Sequence, residues 1–316
     1  MHGLVSLTDK RWFDHLSGLA AKSEGQRLDE VNFWRPKSQQ AVRSITPGAP
    51  FFLRLKRPHH AIAGFGFFAH WQLVPFSLAW ELFGQKNGAP NREAFRSSIT
   101  AFRGSDPEAP GATPLGCIVL RDVVFFERER WLPWGSREDW SRNIVNDKRY
   151  ELASEPGARL LSLIRARYDA APELTQDFQL IDCDTRRQRE STSAVREGQG
   201  TFKLRLLDAY GNRCAVTGEK VVPVLDAAHI QDYLGPASNH VQNGLVLRTD
   251  LHRLYDRGLV TVTPDYEFRV SERLQDEWEN GKQYYELERR RLRAPQEAWQ
   301  APSREALAWH GEVRFG

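Results

Sequence analysis

Residues 225–258 read LDAAHIQDYLGPASNHVQNGLVLRTDLHRLYDRG, and this stretch decides the class of the last third of the chain. A short apolar run ends at His229, a polar loop follows, and Asn243 opens a second apolar run, NGLVL. Thr249 has the chemistry of an N-cap for a short helix, DLHRLYDR, which Gly258 closes. On that helix His252 and Asp256 are four residues apart and so share a face. Upstream, TFKLRLLDAY (201–210) places Phe202, Leu206 and Tyr210 on one helical face, with Gly211 as the stop. Between them, CAVTGEKVVPVLDAAHI (214–230) reads as two short apolar runs about a Thr217-Gly218 turn, a β-hairpin with His229 at the end of its second strand. The order is strand, loop, helix, punctuated by His229, Asn243 and His252.

On the motifs DAAHI (226–230), NGLVL (243–247) and HRLYDRG (252–258), the stretch from about 201 to 275 resembles an HNH nuclease domain, the ββα-metal fold. The tail, with YYELERRRLRAP and ALAWHGEVRF near 284–315, is similar to the ends of bacterial HNH proteins of restriction type. Hydrolysing a phosphodiester needs an activated water and positive charge on oxygens whose negative charge grows toward the transition state. An imidazole, largely neutral at pH 7–8, can accept the proton of that water. The resemblance makes His229 the candidate base, has Asn243 hold the imidazole or the loop in register, and has His252 ligate one divalent cation. It also implies a 5′-phosphate and a 3′-hydroxyl at the cut.

Two departures from the family pattern matter. Where many members place a metal-ligating His or Asp just before the base, this chain has Ala228; Asp226, on the same strand face, is placed to supply the missing oxygen. Asp256 stands where other members carry a further His, and offers either a second hard ligand or a brace through Arg253 or Arg257. An oxygen-rich set favours Mg²⁺ or Mn²⁺. Cys214 begins CAVTG where some relatives have a zinc-binding CxxC, but Thr217 fills the second slot, so structural zinc is not expected. A lone histidine is usually a structural residue, and His15, His59, His60, His70, His240 and His310 carry no function by themselves. His229, Asn243 and His252 differ because three residue types recur together on the expected strand, loop and helix.

Composition bounds the rest. The chain has 316 residues, 41% apolar and 27% charged, which excludes disordered and collagen-like classes and allows about two domains. A net charge of +3 permits an anionic partner without requiring one. Cys117, Cys183 and Cys214 are odd in number and form no CxxC pair, which fits a reducing, prokaryotic cytoplasm better than a disulfide scaffold. The N-terminus has no signal-peptide pattern. Residues 58–80 carry no Asp, Glu, Lys or Arg, yet their His, Gln, Pro and Gly make a poor membrane span.

The expected fold class is α+β in two domains. FFLRLK (51–56), AIAGFGFFAHW (61–71) and GCIVLRDVVFFE (116–127) read as strands. Leu78, Leu82 and Phe83, then Phe95, Ile99 and Phe102, recur at helical spacing between the last two of these. The order FWRPKS (33–38), PGAPFFLRLK (47–56), AIAGFGFFAHW (61–71) resembles the PUA-like superfamily, whose EVE, YTH and SRA branches bind a flipped modified base in an aromatic pocket. That resemblance implies a small β-barrel reader over 1–155, with Trp34, Phe67 and Trp71 as flat walls and Lys37 or Ser38 as nearby polar groups. The same rings also suit a barrel core.

A helical, basic linker is expected over 156–200, then a nuclease domain with a helical tail over 201–316. From Arg186 to Arg213 there are seven basic residues against three acidic, either a solvated face or a phosphate-tracking patch; Arg205, Arg213 and Arg253 are the candidate phosphate contacts. The partner implied is double-stranded DNA, with or without modified bases, and since one such site cuts one strand, a homodimer at least on DNA. The competing readings are a non-catalytic reader of modified nucleic acid, and a mobile-element or repair nuclease indifferent to modification.

Overall fold

The structure is a computed structural model that describes residues 2–23, 27–35, 45–136, 139–141, 143–144, 146–166, 177–185, 187–188, 194–195, 197–278 and 281–316. The chain folds as two compact units, Met1–Thr175 and Gln176–Gly316, and the division falls inside the stretch read as linker. Both units mix helix and sheet, so the α+β class holds. Among the described residues no helix is long and apolar enough to cross a membrane; residues 61–74 of the uncharged stretch form a strand instead.

In the first unit the elements are β1 (His2–Thr8), α1 (Lys10–Ala20), β2 (Arg27–Arg35), β3 (Pro50–Leu55), β4 (Ala61–Val74), α2 (Phe76–Phe83), α3 (Arg92–Arg103), β5 (Leu115–Phe125), β6 (Leu132–Pro133), β7 (Asp147–Glu151) and α4 (Gly157–Arg165). The sheet runs β2-β5-β4-β3-β1-β7, with β6 beside β4, and is antiparallel except where β1 lies parallel to β3. The end strands β2 and β7 share no ladder, so the described strands form no closed barrel, and the Arg35 guanidinium meets the Asp147 carboxylate between those two strands.

Local chemistry sets the element ends. Asp9 caps α1 by accepting the Arg11 and Trp12 N–H groups, Asn91 caps α3 through Ala94, and Gly104, at φ +78°, ends α3. At Gly64 a β-carbon would lie 2.4 Å from the Val124 carbonyl oxygen, so only glycine lets β4 approach β5 this closely. Both sheet faces are covered. Trp12, Phe13 and Leu16 of α1 pack over Phe33, Phe51, Leu53 and Leu120, while Leu160 and Ile164 of α4 pack over Phe52, Phe65, Phe67 and Trp134 on the other face. Each such aromatic or aliphatic side chain contributes about 1.5–3 kcal/mol by leaving water.

The second unit contains β8 (Arg187–Gln188), β9 (Ala194–Val195), α5 (Gln199–Ala209), β10 (Leu225–His229), β11 (Gly244–Arg248), α6 (Thr249–Asp256), β12 (Val260–Val262), β13 (Phe268–Val270), α7 (Arg273–Trp278), α8 (Lys282–Tyr285) and α9 (Arg304–Val313). The expected hairpin inside 214–230 is corrected. Residues 214–219 form a tight turn in which the Cys214 N–H donates to the Glu219 carbonyl, and Val222–Val224 is a 3-10 turn containing Pro223, which has no N–H to give a ladder. Strand β10 pairs instead with β11, Leu225 opposite Arg248 and His229 opposite Gly244. The helix start is also moved by one: Arg248 is at the N-cap, and Thr249 is already helical and donates its hydroxyl to the Val224 carbonyl at 3.2 Å.

Helix α9, capped by Ser303, clamps α6 from behind. His310, 2% exposed, stacks on Tyr255 at 3.7 Å. The Tyr255 carbonyl can only accept, so His310 Nε2 donates to it at 3.2 Å, and Nδ1 accepts the Thr261 hydroxyl at 2.8 Å. Burial pulls the His310 imidazole down to about 4, against a weaker upward pull from the Tyr255 carbonyl. Below about pH 6.5 the unfolded chain binds a proton here that the folded chain refuses. Stability from this residue is therefore complete above that pH and drains away as the pH falls toward 4. Urea unfolding is expected to show about 2 kcal/mol less stability at pH 5 than at pH 7.5 from this group, and the permanently neutral His310→Gln chain is expected to show a correspondingly smaller difference.

Candidate functional site

Strand β10, the loop 230–243 and α6 bring the sequence-selected residues to one side of the second unit, against α5. The His229 imidazole stacks on Phe202 of α5, centroids 4.2 Å apart and planes 14° apart. Gly244, directly opposite on β11, makes this seat possible: a β-carbon there would lie 2.5 Å from Leu206 and 2.7 Å from Phe202. His229 Nε2 lies 3.0 Å from Asn239 Oδ1. The Asn239 amide is oriented by its Nδ2, which donates to the Glu197 carbonyl at 2.5 Å, so its oxygen faces the ring and Nε2 carries the proton. His229 is therefore held in one tautomer, with the lone pair on Nδ1.

Asn243 does not orient the imidazole. Its side chain is fully buried; Oδ1 accepts the Gln231 N–H at 2.8 Å and Nδ2 donates to the Gln231 and Ser238 carbonyls, each at 3.0 Å. It pins the loop whose next turn, Pro236–Asn239, presents Asn239 to His229. The orienting contact thus comes from Asn239, a residue the sequence reading missed. Its signal is faint: an asparagine in a polar loop four positions before Asn243.

The second cluster is acidic and imidazole-bearing. Asp226 Oδ2 lies 3.4 Å from His252 Nδ1, and Asp256 Oδ1 lies 3.5 Å from His252 Nε2. The carboxylates face opposite ring nitrogens, so a single ion on one nitrogen is not shared by both. Either ring nitrogen can donate to the carboxylate it faces, and the one that does not keeps its lone pair beside an acidic oxygen. The donors, one imidazole nitrogen and one carboxylate oxygen, fit a divalent ion that keeps water or phosphate oxygens in its remaining positions. Among the described residues no group of three His, Cys, Asp or Glu side chains is placed to hold a metal, and a closed four-ligand site is not formed. Lys203, also missed, sits 3.8 Å from Asp226 Oδ1. Neighbouring residues of α5, Phe202 and Lys203, therefore touch the His229 ring and the Asp226–His252 pair.

Other expected residues are dispersed. Asp256 pairs with His252, and no ion pair links it to Arg253 or Arg257 among the described residues. Arg253 is exposed and Arg205 and Arg213 are half-buried; Arg186, Arg189 and Arg196 of the basic run lie outside the described residues. Cys214 is buried, and its sulfur accepts the Thr217 N–H at 3.4 Å. In the first unit Trp34, Phe67 and Trp71 do not form one set of walls. Phe67 is fully buried on the α4 side of the sheet, whereas Trp34 and Trp71 pack against the core on the α1 side. Trp34 also packs edge-on against Phe95 and donates its indole N–H to the Asn87 carbonyl at 2.8 Å. Lys37 and Ser38 lie outside the described residues.

A family model matches part of the second unit. Residues 214–263 match the family described as HNH endonuclease, and the second unit carries an HNH endonuclease domain. Among solved structures, the ASCH protein of Zymomonas mobilis is 16% identical, with a TM-score of 0.33 over 51% of this chain and 94% of that one. The modification-dependent TagI restriction endonuclease is 11% identical, with a TM-score of 0.28 over 90% of this chain and 75% of that one. Comparison with curated proteins finds no match.

Proposed function

We propose that this protein is a metal-dependent DNA endonuclease of restriction type, acting in a prokaryotic cytoplasm, with His229 as general base and cutting that depends on a modified base such as a 5-modified cytosine. The observation that carries the nuclease reading is the alignment, along adjacent residues of α5, of a tautomer-fixed imidazole with the Asp226–His252 pair. Asn239 keeps the proton on Nε2, so Nδ1 of His229 accepts the proton of the attacking water. Asp226 and His252 would hold the ion, Mg²⁺ or Mn²⁺, and Asp256 would set the His252 ring, as carboxylates behind metal-binding imidazoles do. When bound, the cation supplies positive charge to the phosphate and the departing oxygen. Lys203 keeps the Asp226 carboxylate in place from α5.

An HNH unit grips phosphates and reads little sequence, so choice of target is assigned to the separately packed first unit, read as PUA-like. One such centre cuts one strand, and two copies meeting on DNA are needed for a double-strand break. Matched plasmids, unmodified or carrying 5-methyl- or 5-hydroxymethylcytosine, incubated with the protein and Mg²⁺ or Mn²⁺ test this reading. Cutting confined to a modified plasmid and abolished by chelator is expected. Equal cutting of all three sinks modification dependence, and binding without cutting on any of them favours a reader.

A further inference from the structure

The first unit contains a buried cation that the cutting chemistry does not use. Arg54 on β3 is 3% exposed, yet among the described residues its hydrogen-bond and ring partners are all neutral. Nε donates to the Trp134 carbonyl at 2.8 Å, a terminal nitrogen donates to His60 Nδ1 at 3.0 Å, and the guanidinium lies 4.6 Å from the centroid of the Trp140 ring. An arginine only donates, so His60 must present its lone pair to it and is neutral in this arrangement. Burial acts against the Arg54 charge, and the nearby Tyr150 favours it more weakly. Taking a charge out of water without an opposite charge is costly, and structures that keep such a group usually complete it with an anion.

The surroundings say which kind of anion. Arg54 lines a cavity of about 750 Å³, together with Lys56, Arg57, His60 and Trp140, a size ordinary for small-molecule sites (about 300–1,000 Å³). No acidic side chain is among its described lining residues. Lys56, whose ammonium lies 5.9 Å from the Phe102 ring centroid, and Arg57 are exposed along its lining, so three cationic side chains border one space. A phosphate group, as monoester or diester, brings anionic acceptor oxygens in the geometry that suits the guanidinium fork, with the neighbouring lysine and arginine free to meet further oxygens or a second phosphate.

We propose that this cavity is a phosphate-binding site, separate from the His229 centre, that takes the phosphate group of a nucleotide with Arg54 as the buried anchor and Lys56 and Arg57 along its lining. The group can come from a free nucleotide or from a DNA strand, and the test separates the two. The full chain is titrated calorimetrically at low salt with inorganic phosphate, 5′-deoxycytidine monophosphate, deoxycytidine and a duplex oligonucleotide. Saturable binding of at least one phosphate-bearing probe is expected, with none of deoxycytidine. Charge-assisted hydrogen bonds of about 1.5–3 kcal/mol make Arg54→Met weaken that binding roughly 10- to 100-fold.

Should Arg54→Met fail to fold, the exposed pair Lys56→Gln with Arg57→Gln decides alone, with about a tenfold loss expected. Binding by the mononucleotide names a free nucleotide as the source. Binding by the duplex alone, weakened by the same substitutions, names the DNA backbone. No saturable binding of any phosphate-bearing probe, or binding that these substitutions leave unchanged, overturns the proposal. Binding must persist in His229→Ala, so a chain that binds the probe but never cuts DNA leaves this site standing and removes only the nuclease reading.

Discussion

Replacing His229 with alanine is expected to lower the rate of plasmid nicking about 10²- to 10⁴-fold, the usual contribution of a positioned proton acceptor. The loss should fall on turnover. The imidazole lies on the face of Phe202 beside Asn239 and Tyr233 of the loop, and its side chain takes no part in the β10–β11 ladder or the Asp226–His252 pair, so its removal leaves both in place. DNA affinity and the thermal transition should therefore stay near those of the parent chain. Unaltered nicking by His229→Ala would falsify its role as base, and an equal fall in affinity would assign it to binding instead.

Asn243→Ala is expected to act through stability. Three hydrogen bonds join this fully buried amide to Gln231 and Ser238, and the shorter side chain strands one N–H and two carbonyls away from water. The loss is about 3 kcal/mol or more, at the upper end of single-site effects, and should be read as a lowered urea midpoint. Cleavage measured well below the transition should fall as well, since the same loop carries Asn239 to the ring of His229. An unchanged midpoint with lost cleavage would instead point to a direct role at the scissile phosphate.

Much of the second unit was legible in the order of its residues. His229 at a strand end, Asn243 before a second apolar run and His252 on a short helix are local signals, and each lies in the expected kind of element. The strand pairing was not legible in the same way. The run CAVTG has the apolar content of a strand, but its turn closes on itself, and Ala215 spends its N–H on Val246, a partner 31 positions away. Asn239 and Lys203 were hidden for a related reason. One acts from a loop whose path Asn243 sets, the other from a helix outside the motif, and nothing in their immediate neighbours marks either.

In the first unit the strands β3, β4 and β5 followed from their aromatic and β-branched content. The face each ring takes did not. Register shifts between Phe65 and Phe67 and between Phe68 and His70 break the alternation of β4, which sends Phe67 to one side and Trp71 to the other. The burial of Arg54 was not legible either: every residue of β3 is buried, and nothing in FFLRLK marks its arginine as one of them.

The bare backbone at Gly244 ties three positions into one steric unit. Because α5 leaves no volume for a methyl group there, position 244 is free to grow only if Phe202 or Leu206 shrinks, and a smaller ring at 202 in turn removes the floor under His229. Substitutions at these sites should covary as exchanges of volume, with the floor beneath the imidazole limiting which exchanges survive.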